Sequence, residues 1–301
     1  MPTEIANSTK FYHIIAFLIV CVWGTTYVSS KILINNALTP AQIFFLRFLL
    51  AYVLLLAVYH KRLFADTWKD ELLMLVLGLT GGSLYFLAEN TALAYSTATN
   101  VSLIVCSCPM VSTLGLAILY KEERLSKMQY FGSALALMGM AVVVLNGRLV
   151  LHLSPHGDLL ALLACLCWAA YSILLRSVMH RYPSLFITRK VFFYGVVTIL
   201  PCMLTDGLPA PSILVRGEVL GHLLFLSVVA SFLCYIFWNK CLRTLGVQQA
   251  GNWIYFNPIA TIVCAWIMLG ETPTVFLFLG TAMILVGMYW ADKKTKRQGK
   301  V

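Results

Sequence analysis

The sequence is poor in charge, above all in acidic residues. Only 11% of its 301 residues are charged, and Asp and Glu number 12 against 22 Lys and Arg. Soluble domains carry about 25% charged residues. With 60% hydrophobic residues and a mean hydropathy of +0.84, the chain has more apolar surface than one water-soluble core can bury. The composition excludes a soluble enzyme, a nucleic-acid-binding protein and a disordered scaffold, and predicts an integral membrane protein.

Motifs for several chemistries are also missing. The chain has no Gly-x-x-x-x-Gly-Lys-Ser/Thr loop, so ATP is not expected to drive it directly. It has no His-Glu-x-x-His motif and no second acid inside an apolar run, which argues against zinc and aspartyl intramembrane proteases. The nine cysteines, an odd number, lie mostly in apolar runs, where a thiol behaves as a small hydrophobe. We therefore expect no enzyme activity, no cofactor, no metal and no disulfide framework.

Long apolar runs are what the sequence has in abundance. A bilayer core about 30 Å thick requires roughly 20 apolar residues per helix. We place ten such runs, spans 1 to 10, at residues 13–34, 40–60, 70–95, 98–119, 127–146, 157–178, 184–205, 218–243, 247–269 and 272–291. Basic residues cluster after the even-numbered spans, so the positive-inside rule places both termini in the cytoplasm. The sequence thus predicts an all-α membrane protein with ten transmembrane helices.

The two halves of the chain repeat one another. Asn90 and Pro109 reappear about 149 positions later as Asn239 and Pro258. Each half holds five spans, an odd number, so the second half crosses the membrane in the opposite direction. Such inverted-topology repeats are typical of secondary transporters.

Short motifs support a closer resemblance. They comprise Trp23-Gly24 leading to Lys31, the stretch from Glu89 to Tyr95, Pro109 before Glu122 and Gly132, and Pro258 before Gly270-Glu271 and Gly280. In this pattern the sequence resembles the EamA-type ten-helix carriers of the drug/metabolite transporter superfamily. The resemblance implies a first EamA-like repeat at residues 1–149 and a second, with a basic tail, at 155–301. It also implies a carrier of the bacterial cytoplasmic membrane, more often an exporter than an importer.

Two prolines point to the site. Pro109 and Pro258 fall near the centres of spans 4 and 9. A proline lacks a backbone N–H and frees the carbonyl one turn earlier. Paired breaks either kink helices for packing or line a substrate cavity. Ser107 beside the first proline, and Tyr255 and Asn257 beside the second, would give such a cavity a neutral hydrogen-bonding wall.

Glu89 is the acid that lies inside an apolar run, about six residues from the outer end of span 3. An ionisable group there normally faces a cavity or a partner. Burial favours the protonated carboxyl, which could carry a proton or hold a cationic amine, whereas pairing with Arg47 favours the carboxylate as a structural bridge or gate. The second repeat has Trp238-Asn239 here, so we expect an asymmetric site in which Asn90 and Asn239 supply hydrogen bonds.

Aromatic residues and a lysine complete the predicted site. Trp23 and Tyr27 share a face of span 1, and Trp168 has the mirrored position in span 6. At mid-depth an indole favours a cavity wall or an interhelical hydrogen bond. Lys190, the counterpart of Arg47, could close an inner gate, meet an anionic substrate or serve only the structure.

Together these features predict a secondary active transporter that moves a small metabolite by alternating access. Spans 1, 3, 4, 6, 8 and 9 would line its central cavity. One acid among several aromatics favours an amino acid, an amine or an amphipathic organic compound. A proton gradient is the simplest driving force, and facilitated exchange is equally compatible. The alternative class is a membrane-embedded lipid-handling protein or enzyme that uses the same cavity. The expected partners are the small-molecule substrate and the lipid bilayer.

Overall fold

Helices account for all the regular secondary structure in the part of the chain that the computed structural model describes. That part comprises residues 2–108, 111, 127–145, 155–245, 250 and 252–292. In the first half the helices are α1 Pro2–Asn35, α2 Pro40–Val58, α3 Trp68–Gly78, α4 Leu84–Tyr95, α5 Ala98–Val105 and α6 Lys127–Leu145. In the second half they are α7 Pro155–Leu175, α8 Ser184–Asp206, α9 Pro211–Leu214, α10 Gly217–Leu224, α11 Cys234–Leu245, α12 Asn257–Leu269 and α13 Val275–Asp292.

Six stretches of the described chain are helical, long and apolar enough to cross a membrane. They are Thr9–Asn35, Pro40–Val58, Trp68–Tyr95, His156–Leu175, Ser184–Asp206 and Gly217–Leu245. They coincide with predicted spans 1, 2, 3, 6, 7 and 8, and α12 and α13 are shorter apolar helices within spans 9 and 10. The chain is an integral, multi-pass, all-helical membrane protein, as predicted. The count of ten spans and the orientation of the termini stay predictions.

Side-chain caps explain why several spans begin where they do. Thr39 accepts a hydrogen bond from the Gln42 N–H, and the Gln42 side chain accepts one from the Thr39 N–H. This reciprocal capping box precedes Pro40, whose missing N–H costs nothing in the first helical turn. The Thr67 and Thr97 side chains cap α3 and α5 by accepting the N–H groups of Asp70 and Asn100. The threonines therefore fix where these helices begin.

The last helices of the two repeats, α6 and α13, cross at glycines. A Cβ atom added at Gly139 would lie 2.7 Å from the Gly280 carbonyl oxygen, and one added at Gly287 would lie 2.5 Å from the Gly132 carbonyl oxygen. Either side chain would force the backbones apart. The glycines spaced by seven thus serve close packing of transmembrane helices.

Helix irregularities recur at equivalent places in the two repeats. A π-helical segment, Leu79–Ser83, joins α3 to α4, and a second, Phe225–Leu233, joins α10 to α11 about 149 positions later. Single-turn π segments often mark functional sites. Helix propensities do not predict π segments, and both segments lie in spans that were predicted to be uninterrupted helices.

The predicted breaks in spans 4 and 9 also have structural counterparts. In span 4, α5 ends at Val105, and Ser107 N–H bonds to Ile104 O in a tighter turn. Pro109 itself lies outside the described residues. In span 9 a 3₁₀ segment, Asn252–Phe256, precedes α12, and Pro258 lies in the first turn of α12 rather than within a continuous helix. A proline at a helix start loses no hydrogen bond, so this position tolerates Pro258.

Candidate functional site

A cavity of about 360 Å³ lies between helices of both halves. This volume is in the range of small-molecule sites, roughly 300–1,000 Å³. Its wall includes residues from spans 1, 3, 4, 6, 8 and 9, as predicted. Spans 2 and 7 contribute as well, through Arg47, Ser184, Ile187 and Thr188. The cavity is therefore lined by both repeats.

The cavity runs from buried polar groups to the protein surface. Glu89 and Arg47 lie at its deep end and are almost completely buried. Met179 and Ser184 lie at the other end and are exposed. That end is next to Arg176 and Arg181, in a loop whose charge predicts a cytoplasmic position. The cavity is thus open toward the side that we expect to be cytoplasmic.

Two tyrosines surround the Glu89 carboxylate. Tyr85, one turn earlier on α4, donates a hydrogen bond of 2.5 Å from its hydroxyl to Glu89 Oε2. The buried ring of Tyr27, from α1, borders the same cavity and interacts electrostatically with Glu89. A hydroxyl donor stabilises a buried carboxylate without adding a charge. Glu89 therefore faces the cavity, one of the two surroundings expected for it.

Arg47 faces the same cavity but has a different partner. Its Nε donates to Ser231 Oγ over 2.7 Å, and Ser231 belongs to the second π segment. The guanidinium carbon lies 4.9 and 5.0 Å from the ring centroids of Phe48 and Phe86. Cation–π contacts of this kind favour a desolvated guanidinium. Among the described residues the hydrogen-bond partner of Arg47 is thus Ser231, whereas Glu89 interacts with it electrostatically without an ion pair. The cavity therefore contains two ionisable groups that are not hydrogen-bonded to each other.

Aromatic rings form much of the wall. Trp23 lies 5.0 Å from Trp238 and 5.6 Å from Tyr235 between ring centroids, and its indole N–H donates to Ala230 O over 3.0 Å. Both roles expected for this tryptophan, wall and interhelical bond, are therefore combined. On the opposite side Trp168 lies 5.3 Å from Tyr85. These rings offer an apolar surface with a few hydroxyl and N–H groups.

The remaining predicted residues divide into two groups. Asn239 and Asn257 line the cavity, and the Asn239 amide donates to Tyr235 O over 2.7 Å. Asn90 and Ser107 are buried but are not among the cavity-lining residues. Asn90 follows Glu89 by about 100° around the helix, so its amide turns toward Pro40 O, 3.4 Å away.

Ser107 donates its hydroxyl to Ile104 O over 2.6 Å within its own turn. Its hydroxyl therefore satisfies the broken end of α5 instead of the cavity. The side chain of Tyr255 lies outside the described residues.

Lys190 is held in a buried ion pair with Glu71, away from the cavity. Glu71 also accepts hydrogen bonds from the Tyr194 hydroxyl and, at 2.7 Å, from the Ala65 N–H. These contacts tie the start of α3 to the inner half of α8. They favour a structural or gating role for Lys190 over contact with an anionic substrate.

Asp70, the sequence neighbour of Glu71, forms a second ion pair, with Arg181. Asp70 accepts hydrogen bonds from Arg181 Nη1 at 3.0 Å and from the Tyr182 hydroxyl at 2.8 Å. Burial and the Asp70 carboxylate raise the pKa of Tyr182, which keeps its hydroxyl protonated as a donor.

Sequence reasoning missed Asp70 and Glu71 because they lie at the end of an apolar run. Both are nevertheless buried, so Glu89 is not alone as a buried acid. The sequence did contain a signal. Two adjacent acids open span 3, and two adjacent basic residues, Arg189 and Lys190, open span 7.

At the opposite end of the protein, which we predict to be the outer end, side chains of one helix cap the ends of others. Lys31 Nζ donates to the carbonyl oxygens of Leu93 and Ser96 at the end of α4. The Glu271 carboxylate accepts bonds from the Ala98 N–H at 2.8 Å and from the Thr99 hydroxyl at 2.6 Å. Since Glu271 follows α12 and these donors open α5, the second repeat caps a helix of the first.

A helical membrane fold whose two halves line one cavity of small-molecule size is the kind of architecture that a membrane transporter has. The comparisons with known proteins agree, and the chain belongs to the EamA-like transporter family, whose profile matches residues 10–145 and 155–291. The profile thus matches twice, once in each half of the chain.

Individual relatives cover nearly the whole chain. An uncharacterized transporter of Archaeoglobus fulgidus is 29% identical over 94% of this chain and 97% of its own length. A probable amino-acid metabolite efflux pump of Salmonella typhimurium is 28% identical over 91% and 92%. A probable terminal-alkyne amino-acid exporter of Streptantibioticus cattleyicolor is 24% identical over 75% of each chain. These names indicate a transporter of small metabolites rather than an enzyme.

Solved structures share the fold, and one crystal structure serves as the example. It aligns with a TM-score of 0.64 over 96% of this chain and 99% of its own, at 21% sequence identity.

Proposed function

We propose that this protein is a secondary transporter that exports a small amphipathic metabolite, an amino acid or an amine, by alternating access. The observation that carries the proposal is a cavity with a carboxylate and a guanidinium as separate groups between aromatic walls. Polar groups at a few points within an otherwise apolar wall fix the orientation of a small ligand.

The positions of the charges suggest how a zwitterion would bind. The amino group would lie at Glu89, where the hydroxyls of Tyr27 and Tyr85 complete the polar corner. The carboxylate would lie at Arg47, beside Ser231, because a guanidinium matches the geometry of a carboxylate. An apolar side chain would lie against Trp168 and the neighbouring rings. The names of relatives as amino-acid exporters support this substrate class.

The architecture supports alternation between two open states. In the proposed topology ten spans form two inverted repeats with both termini in the cytoplasm of a bacterial cell. In that topology the cavity would be open to the cytoplasm, and the caps made by Lys31 and Glu271 would close the outer end. Outward opening would release those caps and close the spans around Met179 and Ser184.

Proton coupling follows from competition at one carboxylate. A proton and a substrate ammonium group cannot both neutralise Glu89. Substrate would bind Glu89 from the cytoplasm, and a proton from outside would replace it after release. One buried acid would then couple export of substrate to entry of a proton.

Transport by reconstituted protein tests this proposal. Liposomes would be supplied with labelled amino acids and amines, with and without an imposed pH gradient. We expect accumulation against the substrate gradient only when the pH gradient is present. Glu89→Gln should abolish that accumulation, while Asp206→Asn, at an exposed residue, serves as the matched control. Equal accumulation by Glu89→Gln and the unchanged protein would refute the coupling role of Glu89.

A further inference from the structure

Two thiols from different repeats meet beside the cavity. Cys108, just beyond the break in span 4, lines the cavity, and its Sγ lies 3.1 Å from the Sγ of Cys165 on α7. Cys165 in turn directs its thiol to Ile104 O, 3.3 Å away. The two residues are 57 positions apart, and none of the nine cysteines, all of which the structure describes, is in a disulfide. The transport scheme above makes no use of either sulfur.

The separation of the two sulfurs is about 1 Å longer than a disulfide bond. A disulfide bond is about 2.05 Å long, so the sulfurs would need to approach by roughly 1 Å. Cys106 also lines the cavity and interacts electrostatically with Cys165, but the sulfur in contact with the Cys165 sulfur is that of Cys108. Cys165 is thus the thiol that Cys108 meets.

We propose that Cys108 and Cys165 form an oxidation site for small, neutral peroxides that enter through the cytoplasmic opening. The peroxide transfers one oxygen atom to the Cys108 sulfur, giving a sulfenic acid and one water molecule when the oxidant is hydrogen peroxide. The Cys165 sulfur then attacks the Cys108 sulfur, the S–O bond breaks, and a second water molecule leaves. In total two thiols and one hydrogen peroxide give one disulfide and two water molecules.

The bond would join the broken helix of the first repeat to α7 of the second. Alternating access requires the repeats to move relative to one another. The disulfide therefore holds the protein in its inward-open state and stops transport. This consequence rests on the proposed function, whereas formation of the disulfide does not.

The chemical test uses the purified full-length protein in lipid nanodiscs. After treatment with hydrogen peroxide, the remaining thiols are alkylated and the peptides are analysed by mass spectrometry. We expect a linked peptide pair containing Cys108 and Cys165, formed faster at alkaline pH because the thiolate is the nucleophile. Dithiothreitol should remove it. The pair should be absent from Cys108→Ser and Cys165→Ser and present in Cys202→Ser, the matched control. Its absence from the unchanged protein would overturn the proposal.

Transport in liposomes tests the consequence separately. Peroxide should lower the flux of the unchanged protein at least about tenfold, with recovery after dithiothreitol, and should leave the flux of Cys165→Ser near its own untreated value. A linked peptide pair with undiminished flux would refute the arrest and leave the oxidation site standing. Absence of flux before any oxidation would contradict the proposed function, and the linked peptide would still decide the thiol chemistry.

Discussion

Arg47 and Lys190 occupy equivalent positions in the two repeats, yet the two cations have opposite surroundings. Arg47 has a neutral partner, Ser231, and faces the cavity. Lys190 has an acidic partner, Glu71, and ties α8 to α3. The repeats have thus kept similar backbones, including paired π segments, while their charges have diverged. Glu89 interacts electrostatically with Arg47, but the two form no ion pair in the described part of the chain. A buried charge without a close counter-charge is expensive, so Arg47 is where we expect the cost to be compensated by a ligand.

We expect the largest effect from removing Lys190, the cation of the second repeat. Lys190→Met leaves Glu71 buried without its counter-charge. We expect the free energy of unfolding to fall by about 3–5 kcal/mol, the usual result of removing one partner of a buried pair. Thermal unfolding of the detergent-solubilised protein measures this loss. The double variant Glu71→Gln/Lys190→Met should recover most of it, and a double variant no more stable than Lys190→Met would contradict the assigned pairing.

Removing the first-repeat cation should affect binding more than stability. Arg47→Met deletes the group proposed to meet a substrate carboxylate. A hydrogen bond to a charged group contributes about 1.5–3 kcal/mol, so the half-saturating substrate concentration should rise about 10- to 150-fold. The thermal transition should shift less than in Lys190→Met. Concentration-dependent uptake and unfolding, measured side by side, test the comparison, and the reverse pattern would mean that Arg47 is the structural cation.

We expect the smallest effect from removing the hydroxyl of Ser231, the hydrogen-bond partner of Arg47. Ser231→Ala removes the acceptor for Arg47 Nε but leaves the guanidinium and its aromatic neighbours. A single such hydrogen bond contributes about 1 kcal/mol. We expect roughly a fivefold rise in the half-saturating concentration and an unchanged maximal rate. Ser227→Ala, which removes a buried hydroxyl bonded to Leu223 O within its own helix, is the control. Equal effects of the two substitutions would refute a positioning role for Ser231.

Much of this arrangement could be predicted from residue types that are rare inside apolar runs and from how deep in the run each one lies. An acid inside an apolar run is costly, and this alone selected Glu89 for the cavity. Mid-depth tryptophans selected Trp23 and Trp168 in the same way. The approximate ends of the helices followed from the lengths of the apolar runs, because run length is a local property.

What could not be predicted depends on contacts between distant parts of the chain. Glu71 and Lys190 are 119 positions apart, and neither position reveals its partner. The direction of Asn90 depends on a single step around the helix from Glu89. The π segments were missed because one extra residue in a turn leaves the hydropathy pattern almost unchanged.

The glycine crossing of α6 and α13 has a consequence for biosynthesis. Its contacts join Gly139 to Gly280 and Gly132 to Gly287, so one side of the crossing is synthesised long before the other. At roughly 5–20 residues per second, α6 waits about 7–30 s in the membrane with its glycine surface uncovered. The crossing can form only after α13 of the same chain has been synthesised. A ribosome that stalls before Val275 therefore leaves behind a first repeat whose last helix has a backbone groove facing lipid.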